Sequence, residues 1–148
     1  MSELNSLSKD LKDAYTILEE IVSLNNLEDV INAINLMKVR GAPLIGATAA
    51  YGVYLAYRNL KDKNKIIDQA NKIKNTRPTA INLFWAVDNM LSVIKDDISP
   101  AAIEKNLLEQ ANKICEDDIN RCKKISLDQM AVGKFLITPH EIVKKYIK

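Results

Sequence analysis

Glycine (four), cysteine (two), histidine (one) and tryptophan (one) are all scarce in this sequence, and each shortage excludes something. Little glycine, with no polar–apolar alternation between hairpin turns, argues against a β-rich fold. One histidine, His140, and two cysteines, Cys115 and Cys122, provide neither zinc-ligand spacing nor a disulfide framework. A reduced, cytoplasmic compartment is the expectation for such a chain. The first residues, Met1-Ser-Glu-Leu-Asn-Ser6, carry no basic region and no apolar core, so they do not read as a signal peptide. Charge of one sign is also in short supply. The balance of 21 basic and 19 acidic residues leaves +2, too weak a field to argue for a nucleic acid or an anionic membrane. The uncharged run from Gly41 to Tyr57 is 17 residues long, at the short limit of a membrane span, and its alanines and glycines contribute little transfer energy. A buried core helix is the expectation there.

What remains is the composition of a soluble globular chain, 47% hydrophobic and 27% charged. Its 148 residues suit about one domain, residues 1–148, with no internal repeat and no dividing linker. The apolar spacing reads as helix nearly throughout, an all-α bundle. Amphipathic periods run over Leu7–Leu24 and, after the break at Asn25-Asn26, over Leu27–Met37. A nearly non-polar helix begins at Pro43 and runs to about Leu60, followed by a polar turn at Lys61-Asp-Lys-Asn64 and a short helix with Ile66, Ile67, Ala70 and Ile73 facing in. Pro78 is expected in the first turn of the next helix, with Thr76 or Arg77 at its cap, because proline lacks an N–H that would be unpaired there anyway. That helix, to about Ile94, is apolar around most of its circumference and is expected to be central. Ser99-Pro100 opens a further helix to about Lys124. Ile125–Gly133 reads as irregular, Phe135–Ile137 as a short extended piece, and Thr138-Pro139 as the start of a last helix, with Glu141 at capping-box spacing.

Helix starts concentrate the chemistry. Arg40 precedes the Pro43 helix and Arg77 precedes the Pro78 helix. A helix start offers free N–H groups and partial positive charge, and a guanidinium adds a forked donor matched to phosphate or carboxylate. A stripe of small residues, Ala42, Gly46, Ala49, Val53 and Ala56, would let the two helices approach closely enough for both arginines to serve one anion. The competing reading is an arginine paired with an internal carboxylate or capping another helix. Asp88, on an apolar helix, is either a proton-transfer carboxylate or a partner of Arg40, Arg77 or a backbone N–H. Cys115 reads as core; Cys122, among Arg121, Lys123 and Lys124, has no histidine partner that would make it a nucleophile. His140 reads as a solvated helix residue. Tyr51, Tyr54 and Tyr57 read as core-edge residues, since no basic stripe interleaves them.

The stretch Met37-Lys-Val-Arg-Gly-Ala-Pro-Leu-Ile-Gly46 with Ala49-Ala-Tyr-Gly52 resembles the N-terminal signature of the methylthioribose-1-phosphate isomerase family, relatives of the α, β and δ subunits of translation initiation factor 2B. Thr76-Arg-Pro-Thr-Ala-Ile-Asn-Leu-Phe-Trp-Ala-Val-Asp-Asn-Met90 looks like the second signature, and its tryptophan favours the isomerase branch. Glu116-Asp117 with Asn120 is similar to the polar end of the next family helix. The resemblance covers 27–125. It implies a helical N-terminal domain that in the family packs on a larger Rossmann-like domain, with the active site between them. It implies further that Arg40 and Arg77, helped by the Gly41-Ala42 backbone, hold the phosphate of a sugar phosphate, and that no metal or organic cofactor is used. The family reaction converts methylthioribose 1-phosphate to methylthioribulose 1-phosphate in methionine salvage. The family's catalytic cysteine lies in a Thr-x-Cys-Asn-x-Gly segment and its catalytic aspartate in a Gly-Ala-Asp-Arg segment; neither segment occurs here. Instead, the divergent tail 126–148 carries Phe135-Leu-Ile-Thr-Pro-His-Glu-Ile-Val143, similar to the family's closing segment. The expectation is therefore a truncated or divergent relative that keeps a sugar-phosphate or small-anion site without catalytic residues of its own. The alternative is a binding or regulatory module that self-associates or docks on a partner.

Overall fold

The computed structural model describes residues 22–128. Among them lie five helices and no strand: α1 Leu27–Asn35, α2 Ala42–Leu60, α3 Lys63–Thr76, α4 Ile81–Ser92 and α5 Pro100–Asp128. The all-α expectation holds. The expected helix over Leu7–Leu24 falls largely outside the described residues, and its end, Val22–Leu24, is irregular. The extended piece at Phe135–Ile137, the last helix and His140 also lie outside.

The central position belongs to α2, the nearly non-polar helix expected to be buried core, while the helix after Pro78, also expected to be central, keeps an exposed face. Every residue from Ile45 to Tyr57 is buried, and α2 packs against each of the other four helices. Its small residues are what make this arrangement possible. A Cβ on Gly52 would lie 2.7 Å from Val30 Cγ1 of α1 and 3.2 Å from Ile73 Cδ1 of α3, so both neighbours settle into the space a side chain would take. Glycine in a helix costs about 1 kcal/mol relative to alanine, and this close packing offsets it. In α4, Leu83, Ala86, Val87 and Met90 are buried, but Ile81 stays 81% exposed and Trp85 48% exposed. Position 81 to 85 is one helical turn, so the two share an outer face.

Other boundaries moved for local reasons. The first helix stops at Asn35, where Lys38 N–H bonds to the Ala33 carbonyl (2.9 Å) and Met37 N–H to that of Ile34 (3.2 Å). These are the two bonds of a Schellman closure, with Met37 at φ 54 supplying the left-handed residue. The short helix expected around Ile66–Ile73 is longer, because Asp62 caps it from Lys63 onward; Ile66, Ala70 and Ile73 face in, but Ile67 is exposed. Ser99 caps α5 as expected, its Oγ accepting from Ala102 N–H at 3.3 Å. That helix then continues to Asp128, through the beginning of the stretch expected to be irregular.

The α2 tyrosines are core rather than core-edge: Tyr51, Tyr54 and Tyr57 are all buried. Tyr51 donates its phenolic hydrogen to Asn112 Oδ1 of α5 at 2.8 Å. The Tyr57 hydroxyl is buried with no hydrogen-bond partner among the described residues. Burial raises the pKa of both phenols above the ordinary 10.0, with a smaller push from negative charge at Glu116 near Tyr51 and Glu104 near Tyr57. The raised folded pKa means that the two phenols favour the native state fully below the unfolded value and lose that contribution as pH climbs past it. Ultraviolet titration of tyrosinate is expected to show these two ionising only above pH 10.0, together with loss of helical circular dichroism. Their titration below that value, with the fold intact, would contradict this packing.

Candidate anion site at two helix starts

The second turn of α2 meets the first turn of α4. A Cβ on Gly46 would stand 3.0 Å from the backbone carbonyl oxygen of Asn82, so the two helices touch backbone to backbone near their N-termini. At Gly46 the small-residue stripe permits the close helix approach its spacing suggested.

These two helix starts differ from the other three in one respect. Asn26 accepts from Asp29 N–H at the start of α1 (2.9 Å), Asp62 from Asn64 and Lys65 N–H at α3 (2.9 and 3.3 Å), and Ser99 from Ala102 N–H at α5. At α2 and α4 the cap positions hold Gly41 and Ala80, with no side-chain cap and no acidic residue in the first turn. Their leading N–H groups are left for another acceptor. Asp62 illustrates the pull of a helix start on negative charge in this molecule, since the N–H groups of Lys65 and then Asn64 hold its carboxyl below the ordinary range.

Pro43 occupies the second position of α2, one residue later than expected, and contributes no N–H; Gly41, Ala42 and Leu44 contribute theirs. Pro78 is not in the first turn of α4. Pro78 and Thr79 form a separate turn, closed by Ala80 N–H bonding to the Arg77 carbonyl at 3.0 Å, and the helix begins at Ile81. The residue before a proline is pushed out of the helical region, and Arg77 is extended at φ −146, ψ 84, ending α3 rather than capping α4. Leu83 and Phe84 N–H both bond the Ala80 carbonyl, which leaves the N–H groups of Ile81 and Asn82 at the tip.

Arg40 lies on the exposed loop before α2, its Nε donating to the Met37 carbonyl at 3.1 Å. Arg77 is half-buried on the turn before α4. Among the described residues, neither guanidinium takes part in an ion pair, so no described carboxylate accounts for them. What packs directly is the backbone at Gly46, in the second turn of α2, and at Asn82, in the first turn of α4; the guanidiniums stand on the loops that lead into the two helices.

Gly41 is the hinge of the α2 start. Its φ of 86 and ψ of 134 fall where a side chain is strained, and a Cβ there would meet nothing within 4 Å. Gly41→Ala is thus a pure backbone penalty, expected to cost about 1–3 kcal/mol in chemical denaturation. No loss of stability would mean that the loop readily adopts another path.

Asp88 belongs to neither arginine. It is exposed and pairs with Lys74 of α3, which rules out the buried proton-transfer carboxylate considered from the sequence. Cys115 is core as expected, and Cys122 is half-buried. Lys74 was missed, since its pairing with α4 is tertiary and has no local pattern.

A profile of the Initiation factor 2 subunit family matches residues 38–147. The chain belongs to that family. A putative methylthioribose-1-phosphate isomerase of Methanocaldococcus jannaschii is 49% identical over 110 residues, covering 74% of this chain and 29% of its own. A 5-deoxyribose 1-phosphate isomerase of Bacillus thuringiensis serovar kurstaki is 42% identical over 123 residues, covering 75% of this chain and 35% of the relative. Among solved structures, the delta subunit of translation initiation factor eIF-2B from A. fulgidus superposes with TM-score 0.62 at 32% identity, over 68% of this chain and 31% of that one. The 5-methylthioribose 1-phosphate isomerase of Pyrococcus horikoshii does so with TM-score 0.55 at 36% identity, over 62% and 28%. The chain spans about a third of the length of these family members. Among the described residues no helix is long and apolar enough to cross a membrane, and no group of side chains could hold a metal ion.

Proposed function

We propose that this chain is a sugar-phosphate-binding helical domain of the isomerase branch of its family, with Arg40 and Arg77 as guanidinium donors and the Gly41-Ala42 backbone as part of the phosphate cradle. The single observation that carries this is the contact of Gly46 with Asn82, which joins two helix starts without side-chain caps, each led by an arginine outside the described ion pairs. An anion there gains from both helix ends and from forked donors. Two of the relatives carry names of sugar 1-phosphate isomerases, which supports a sugar 1-phosphate as the ligand class.

Binding is not turnover. An aldose–ketose isomerisation moves a proton between adjacent carbons, and a positioned acid and base contribute typically about 10²–10⁴-fold. Among the described residues, the carboxylate considered for such a role, Asp88, is engaged by Lys74, and the sequence lacks both catalytic segments of the family. Calorimetry is expected to show methylthioribose 1-phosphate binding with no isomerisation by the chain alone. Absence of binding overturns the site, and turnover abolished by Arg77→Ala overturns the non-catalytic reading.

The outer face of α4 supports a second reading, a module that self-associates. Ile81 and Trp85 expose apolar surface one turn apart. A concentration-independent monomer in sedimentation would argue against it.

A further inference from the structure

The turn that carries Arg77 is bracketed by a cross-helix staple. Lys74, in the last turn of α3, donates to Asp88 Oδ1 in the second turn of α4, and its Nζ lies 5.7 Å from the centre of the Phe84 ring in the first turn. Only 20% of the Lys74 side chain is exposed. Lys74 is three residues before Arg77, and Phe84 and Asp88 are seven and eleven after it. The staple therefore closes the base of the loop whose tip is Arg77-Pro78-Thr79. Within the loop, Thr76 Oγ1 donates to the Ile73 carbonyl at 2.6 Å and Ala80 N–H to the Arg77 carbonyl at 3.0 Å, ties to backbone carbonyls at the two ends of the turn to which the staple adds a side-chain link between α3 and α4. The charge of Lys74 is already taken up by Asp88, so the lysine is not a free anion ligand.

We propose that Lys74 is a positioning residue: through its bridge to Asp88 and Phe84 it sets where Arg77 stands relative to the leading N–H groups of α4, and so tunes anion affinity without touching the anion. The inference rests on the anion site proposed above and deepens it. Titration of the full chain with inorganic phosphate, followed by amide chemical shifts, tests it. Lys74→Met is expected to weaken phosphate binding ~3–10-fold, the size of coupling usual within one network, and Lys74→Arg to restore most of it. The double variant Lys74→Met/Asp88→Asn removes both charges, leaving the net field unchanged, and is still expected to bind weakly. In an Arg77→Ala background Lys74→Met is expected to add nothing further, a non-additivity that loss of stability alone would not produce. Should Lys74→Met fail to fold, Asp88→Asn, on the exposed side, releases the same staple and is expected to weaken binding in the same direction. Wild-type binding with an unchanged dissociation constant in folded Lys74→Met, or in Asp88→Asn if it does not fold, overturns this inference alone. Failure of the wild type to bind phosphate overturns it together with the site.

Discussion

Gly52→Leu is expected to leave the helical bundle unfolded at ordinary temperature. Even a single added carbon would stand 2.7 Å from Val30 Cγ1, where real side chains do not go. Val30 has no room to retreat: it is fully buried and β-branched, so its rotamer in a helix is nearly fixed. The remaining carbons of a leucine would drive α1 and α3 off α2. Overpacking typically costs about 1–3 kcal/mol, and displacement of two helices goes beyond that range, against a total stability of about 5–15 kcal/mol for a domain. Circular dichroism melting checks it. A cooperative transition near the wild-type midpoint would show that α1 and α3 do not seat on this glycine. Gly41, with nothing near its missing side chain, is the contrasting case and fails only through its backbone angles.

Arg77→Ala is expected to weaken phosphate binding about 10–100-fold, and Arg40→Ala by a similar factor, the scale of losing a hydrogen bond to a charged group. The double variant is expected to show no measurable binding. Both side chains stand outside the described ion pairs, so these changes strand no carboxylate among the described residues, and the fold should be kept. Arg77→Lys is not a conservative control, since an ammonium cannot supply two parallel donors to one phosphate. If Arg77 caps structure instead of binding an anion, the melting temperature will fall in Arg77→Ala while phosphate affinity stays the same.

Helix count and order between Leu27 and Lys124 were legible because apolar periodicity and the break at Asn25-Asn26 are local signals. So was the role of Gly46, since a small residue at helical spacing has little other use. The start of the fourth helix was not. Proline suits a first turn, yet it equally forces the preceding residue out of helical geometry, and at Arg77 the second effect prevailed. The centrality of α2 was legible from its nearly non-polar run, but the exposed face of α4 was hidden. Both helices are apolar, and only the packed neighbours reveal that Ile81 and Trp85 face outward. The arginines were legible as candidates, but the uncapped state of their helices was not, because capping depends on which residue ends up at the helix boundary. Asp88 was misread for a tertiary reason: its partner Lys74 lies fourteen residues earlier on another helix.

One anion is proposed to sit where α2 and α4 begin. Adding inorganic phosphate to the isotopically labelled chain and following each amide tests it most directly. Saturable shifts are expected at Gly41, Ala42 and Leu44 and at Thr79, Ile81 and Asn82, fading in Arg40→Ala and Arg77→Ala. Shifts confined to the capped starts of α1, α3 or α5, or no saturable shift anywhere, would contradict it.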